Sequence, residues 1–165
     1  MARTKEEFDN WFTTSNGDPW NYKSKGVINR LHKSFNLMKK VVPKTFDGEI
    51  YELGAFNGDF TKLIAKYYTT SKIICNDISS VAIQQAKITT RNFSNIKYIT
   101  CDFLELFDLG IIGAKNDKIF ILIEALYYLN KEERRKVIDN IYLHSPQFII
   151  LSAPIWGGRI SRWRN

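Results

Sequence analysis

A chain of 165 residues is enough for one domain with an ordinary buried core, and 44% hydrophobic against 25% charged residues excludes a disordered composition. No apolar run is long enough to span a bilayer, and the N-terminus turns polar at once, without a signal-peptide hydrophobic region. The net charge of +7 admits an anionic partner, but acids interleave with the cations almost everywhere, and the clearest unbalanced segment is the tail with Arg159, Arg162 and Arg164.

In chain order, residues 5–13 and 27–42 carry helical patterns, separated by the turn-rich Ser15-Asn16-Gly17-Asp18-Pro19-Trp20-Asn21-Tyr22. From residue 49 the pattern alternates strand and helix. Residues 50–53 read as a first strand, and 60–68 as an amphipathic helix with Leu63, Ile64 and Tyr67 on one face. Residues 72–76 form an isoleucine-rich second strand, followed by a helix over 81–92 with Ser79 or Ser80 as its cap. Residues 96–101 alternate as a third strand, and 119–123 form the continuous apolar run of a fully buried parallel strand. Asn130 and Glu133 make a capping-box pattern that opens a helix to about Leu143, and a fifth strand over 148–152 is stopped by Pro154. Cys75 and Cys101, each near a strand end and without a histidine pair, read as small buried apolar residues rather than metal ligands or a disulfide. Strand and helix in alternation imply an α/β domain over 49–165, a mainly parallel sheet with helices on both faces, preceded by a helical extension over 1–48.

In such a sheet, ligands bind at the carboxyl ends of the strands near the point where strand order reverses. Four acids track those ends: Glu52, Asp77, Asp102 and Glu124. Between the first strand and its helix, Gly54 and Gly58 let the backbone turn sharply and approach a ligand closely. Asp77, a little over twenty residues past Gly54, is placed to accept from both hydroxyls of a ribose; a helix cap or turn is the alternative. Asp102 could accept from an exocyclic amino group, with Ile78 and Phe103 on either side of a flat base, although Phe103 and Leu104 could instead seal the sheet edge.

Glu52-Leu53-Gly54-Ala55-Phe56-Asn57-Gly58, Asn76-Asp77-Ile78-Ser79, Cys101-Asp102-Phe103 and Ile123-Glu124-Ala125-Leu126-Tyr127-Tyr128-Leu129 resemble, in order and spacing, the class I S-adenosylmethionine-dependent methyltransferases. Asp18-Pro19-Trp20 with Tyr22, and the run Glu124 to Leu129, are similar to the branch of nodulation-protein-S-type small-molecule N-methyltransferases. The resemblance implies a Rossmann-like sheet of order 3-2-1-4-5 and S-adenosylmethionine as cofactor, with S-adenosylhomocysteine as product. It implies that Gly54, Ala55 and Gly58 line the methionine part of the cofactor, and that Glu52 organises the loop and reaches the amino group through water. Asp77 would hold the ribose, and Ile78, Asp102 and Phe103 the adenine. Trp20 and Arg30 would cover the cofactor from the N-terminal extension, with Arg30 facing its carboxylate. Phe56 stands where many members carry a further glycine, so its ring must point away from the methionine chain. The family also adds two strands after the fifth. This chain ends too soon for both, which leaves three alternatives: a naturally short product, a truncated sequence, or a homodimer or partner subunit that covers the sheet edge.

Methyl transfer from a sulfonium needs alignment first, and a general base only where the acceptor is protonated. Glu124 and Tyr128 are the candidate catalytic residues, with Tyr127 beside them. His144 is expected at the amino end of the sheet, away from the ligand; His32 could fold over the site or be a surface residue. A small-molecule acceptor methylated on N or O is the first expectation. A nucleic-acid methyltransferase is the second, disfavoured because no proline fixes the turn at Glu124-Ala125-Leu126-Tyr127. A SAM-binding regulatory subunit without turnover is the third. The expected setting is the cytoplasm, with no membrane partner and no metal.

Overall fold

The computed structural model describes residues 4–113 and 117–153. Pro154, the arginine tail and any strands past the fifth lie outside them. Five strands, β1 (Glu49–Leu53), β2 (Lys72–Asp77), β3 (Ile96–Thr100), β4 (Lys118–Ile123) and β5 (Phe148–Ser152), form one parallel sheet of order β3-β2-β1-β4-β5. Strand order reverses between β1 and β4, which is where the expected ligand cleft opens. β1 and β4 are buried almost throughout because helices cover both faces, whereas β5 lies at an edge and leaves Leu151 exposed.

Alternate strand residues feed two cores. On one face Ile50, Ile73, Ile119 and Ile121 pack against Leu31, Phe35 and Met38 of α2 (Lys25–Val41) and Ile64 of α3 (Asp59–Tyr67). On the other, Tyr51, Ile74, Phe120 and Leu122 meet Leu106 and Phe107 of α5 (Phe103–Asp108) and Val137 and Ile141 of α6 (Lys131–Leu143). The N-terminal α1 (Lys5–Thr14) lies against α4 (Ser80–Thr89).

Helix ends follow their caps. Ser24 accepts from the Val27 amide and starts α2 at Lys25, earlier than the apolar pattern shows. Asn130 and Glu133 make the expected capping box, and Ser79, rather than Ser80, caps α4. α4 ends at Thr89, short of residue 92, because Thr90 turns back to donate both its N–H and its hydroxyl to Ala86 O. Two short elements escape the sequence pattern: α5, and a 3-10 turn over Leu126–Tyr128. Neither is long enough to show a period.

Candidate active site

The loop after β1 is built from left-handed backbone: φ is +78° at Gly54, +52° at Phe56 and +79° at Gly58. A Cβ at Gly54 would lie 2.9 Å from the Ala125 Cβ and 3.4 Å from the Phe103 ring, so the site needs glycine for space as well as for φ. Gly58 serves another purpose. A Cβ there would sit 2.9 Å from the Ala86 Cα, so the glycine lets α3 approach α4 closely rather than facing a ligand.

Main-chain bonds fix the loop. The Gly54 and Ala55 amides both donate to Asn76 O at 2.9 Å. Asp77 accepts from the Phe56 amide with one oxygen and the Ser79 amide with the other, each at 2.9 Å. It therefore does act as a turn and cap residue, yet each oxygen keeps a further lone pair for a ligand on the cavity side. Burial lifts the Asp77 carboxyl to about 6, against the Ser79, Phe56 and Ile78 amides that favour its charge.

A cavity of about 270 Å³ opens beside this loop at the carboxyl ends of the strands. One end is walled by Gly54, Asp77, Ile78, Asp102 and Phe103. The other is walled by Phe8, Trp20, Tyr22, Arg30, Tyr127 and Tyr128, with Glu124 between. Of the expected cofactor residues, Trp20, Arg30, Gly54, Phe56, Asp77, Ile78, Asp102 and Phe103 are on its wall; Glu52, Ala55 and Gly58 are not. Glu52 is buried beneath the loop, where it accepts from the Thr61 hydroxyl at 2.6 Å. Burial, aided by the nearby Asp77 charge, pushes its carboxyl up to about 8 against that bond. Asp102 caps α5, one oxygen accepting from both the Leu104 and Glu105 amides.

Arg30, on the cavity wall, is paired with an acid. Its Nε and Nη2 donate to the two carboxylate oxygens of Glu124 at 2.8 and 3.2 Å, a bidentate pair joining α2 to the end of β4. That bond raises the guanidinium pKa further. Glu124 has φ of +53° and donates its own amide to Ser152 O on β5. Such backbone in a non-glycine residue is strained, and strain of this kind gathers at functional sites.

Aromatic packing closes the cavity from the N-terminal side. The Phe56 ring lies 4.4 Å from Tyr22, 4.6 Å from Trp20 and 4.8 Å from Phe12, centroid to centroid, so it is engaged by the extension. Phe8 meets Tyr128 edge-on at 5.4 Å. Tyr127 donates to the Tyr128 hydroxyl at 2.8 Å, and burial raises the pKa of both phenols. The Trp20 Nε1–H is buried beside the Tyr128 hydroxyl, close enough to favour the phenolate but without a well-formed hydrogen bond to any described residue. A buried donor left with so weak a bond is a costly feature unless a ligand meets it.

Phe8 and Asp9 were missed in the sequence. Asp9 accepts from the Ser79 and Ser80 hydroxyls and the Val81 amide at the start of α4, which seats Phe8 over the cavity. The i, i+4 pair Phe8 and Phe12 was the available signal. His144 stacks on Phe107 away from the cavity, and His32 is exposed on α2, off the wall. Both cysteines are buried thiols, and no cluster of metal-ligating residues occurs among the described residues.

The sheet order, the glycine turn and the acids at the strand ends define a class I S-adenosylmethionine-dependent methyltransferase. The chain belongs to the nodulation protein S (NodS) family, whose model matches residues 12–154. Among solved structures, the N-methyltransferase NodS from Bradyrhizobium japonicum WM9, in complex with S-adenosylhomocysteine, superposes with a TM-score of 0.64 at 20% identity, over 82% of this chain and 67% of that one. Magnesium protoporphyrin IX methyltransferase from Synechocystis PCC 6803, with bound SAM, gives 0.65 at 14% identity, over 88% and 73%. The methyltransferase domain of bacterial CtHen1 gives 0.58 at 18% identity, over 73% and 62%. At these identities the likeness is one of fold. No curated protein matches by sequence.

Proposed function

We propose that this chain transfers a methyl group from S-adenosylmethionine to an N or O atom of a small molecule held at the aromatic end of the cavity. The observation that carries the reading is the Arg30–Glu124 pair, which holds a carboxylate inside the same cavity as Asp77 and Gly54. The cavity fits the cofactor on this chain's own features: the space that only glycine leaves at residue 54, the Asp77 carboxylate on its wall and the poorly bonded Trp20 N–H.

The cofactor supplies an activated sulfonium methyl and a good leaving group. The Gly54 turn lets the methionine chain approach the backbone, and the remaining Asp77 lone pairs receive the ribose hydroxyls. Ile78 and Phe103 would flank the adenine, and the Asp102 oxygen not used to cap α5 would accept from its amino group. Trp20 Nε1–H would donate to the cofactor carboxylate, the role first expected of Arg30. Arg30 instead orients Glu124, which receives the proton of the acceptor or fixes its lone pair toward the methyl. Phe8, Tyr22, Tyr127 and Tyr128 form the acceptor's walls and exclude water.

Isothermal titration with S-adenosylmethionine and, separately, NAD tests the cofactor. Saturable binding of the first alone is expected, and no binding of it removes the reading. A methyl-transfer assay over primary amines, phenols and sugar amines then tests the acceptor class. Binding without transfer to any of them would support a SAM-binding subunit without turnover.

A further inference from the structure

An acid-free run with more cations than the arginine tail lies on one helix and its flanks. Residues 23–46 hold seven cationic side chains and no acid. Arg30 is paired with Glu124. Lys25, Lys33, Lys40 and Lys44 are exposed and make no ion pair among the described residues. α6 shows the contrasting pattern of an ordinary solvated helix, with acids interleaved and the pairs Arg135–Asp139 and Lys136–Glu132.

The same face of α2 is also apolar. Leu37 is 63% exposed and Val41 52%. Spacings of seven and eleven from Arg30 put both on one stripe of the helix, and that stripe begins at a residue of the cavity wall. Lysines flanking exposed Leu and Val are the composition of a helix that lies in a bilayer interface. A single-stranded nucleic acid would instead call for an array of exposed Phe, Tyr or Trp rings, and the one such residue of α2, Phe35, is buried.

We propose that the outer face of α2 docks the protein on an anionic lipid surface, with Leu37 and Val41 at the headgroup boundary and the Arg30 rim of the cavity turned toward it. This differs from the expectation of no membrane partner, which rested on the lack of a spanning segment; surface binding needs none. It stands independently of the methyl-transfer reading. Its consequence for an enzyme is that an amphipathic acceptor could reach the aromatic end of the cavity from the membrane surface.

The test is cosedimentation of the full chain with vesicles of phosphatidylcholine alone, or of phosphatidylcholine with about one third phosphatidylglycerol. Binding to the anionic vesicles only, weakening steeply with salt, is expected. K33Q with K40Q lowers that partitioning by about tenfold or more, since one lysine near the surface is worth about fivefold. L37S with V41S lowers it again at high salt, where the apolar contacts dominate. All four side chains are exposed and off the cavity wall, so circular dichroism and S-adenosylmethionine binding serve as fold controls. Equal binding to neutral vesicles, no binding to anionic ones at low salt, or full retention by K33Q/K40Q overturns the proposal. So does an RNA oligonucleotide that binds more tightly than the vesicles and strips the protein from them.

Discussion

At Glu124, positive-φ backbone, a main-chain bond to β5 and a bidentate arginine act on one carboxylate. A side chain held this firmly cannot swing to meet a ligand; the ligand must meet it. Replacing Glu124 by Gln keeps the shape and removes the charge, so kcat is expected to fall by about a hundredfold or more if the residue takes a proton, with S-adenosylmethionine affinity unchanged. Arg30→Lys keeps a positive charge without the planar fork. It is expected to lower kcat and to leave cofactor affinity intact, because the pair positions Glu124. Calorimetry together with steady-state kinetics separates the two, and loss of cofactor binding in Arg30→Lys would return Arg30 to the cofactor carboxylate. Gly54→Ala has the opposite signature. Its Cβ meets Ala125 at 2.9 Å and the left-handed φ costs about 1–2 kcal/mol for an L-residue, so binding is lost first.

Among the elements, α1 has the most specific attachment. Asp9 receives two serine hydroxyls and an amide at the start of α4, two residues beyond the Asp77 that faces the cavity. Burial alone would raise the Asp9 pKa, but the bonds from Ser79 and Lys5 outweigh it and hold the carboxyl ionised. Asp9→Ala is expected to cost about 1–3 kcal/mol of α1 docking. The readouts are faster amide exchange in residues 5–14 and faster cofactor dissociation, while the sheet stays protected. Unchanged exchange in α1 would show that the aromatic contacts of Phe8 and Phe12 suffice. This latch was not legible in the sequence, because its partners are about seventy residues apart and a helix-surface Asp has no distinctive pattern. The strands were legible because burial on both faces writes itself as apolar runs, as in residues 119–123. The acids at the strand ends were legible for the same reason, each marking where an apolar run stops. Their duties were less so. Asp102 and Glu52 turn out to hold an α5 cap and a Thr61 hydroxyl, both assigned by short elements and buried contacts that periodicity does not encode.

For the molecule as a whole, two buried carboxyls beneath one loop set a pH dependence of stability with a definite sign. Glu52 is raised from 4.5 to about 8 and Asp77 from 3.8 to about 6, in each case chiefly by burial. The folded state therefore binds protons that the unfolded chain releases, and stability falls as pH rises. The Glu52 contribution is complete below about 4.5 and is gone once pH passes about 8; the Asp77 contribution is gone once pH passes about 6. Glu52→Gln keeps an acceptor for the Thr61 hydroxyl and cannot ionise. Urea unfolding of this variant is expected to lose most of the decline between pH 6 and 8, and a decline of native size would place its origin elsewhere. Cofactor affinity should move the other way. Ribose hydroxyls donate best to an ionised carboxylate, so S-adenosylmethionine is expected to bind more tightly as pH rises through about 6, and Asp77→Asn should abolish that rise. The loop thus gives up some stability over the range in which Asp77 becomes charged, as the proposed function requires of a buried carboxylate that supports a turn and is also to receive a ribose.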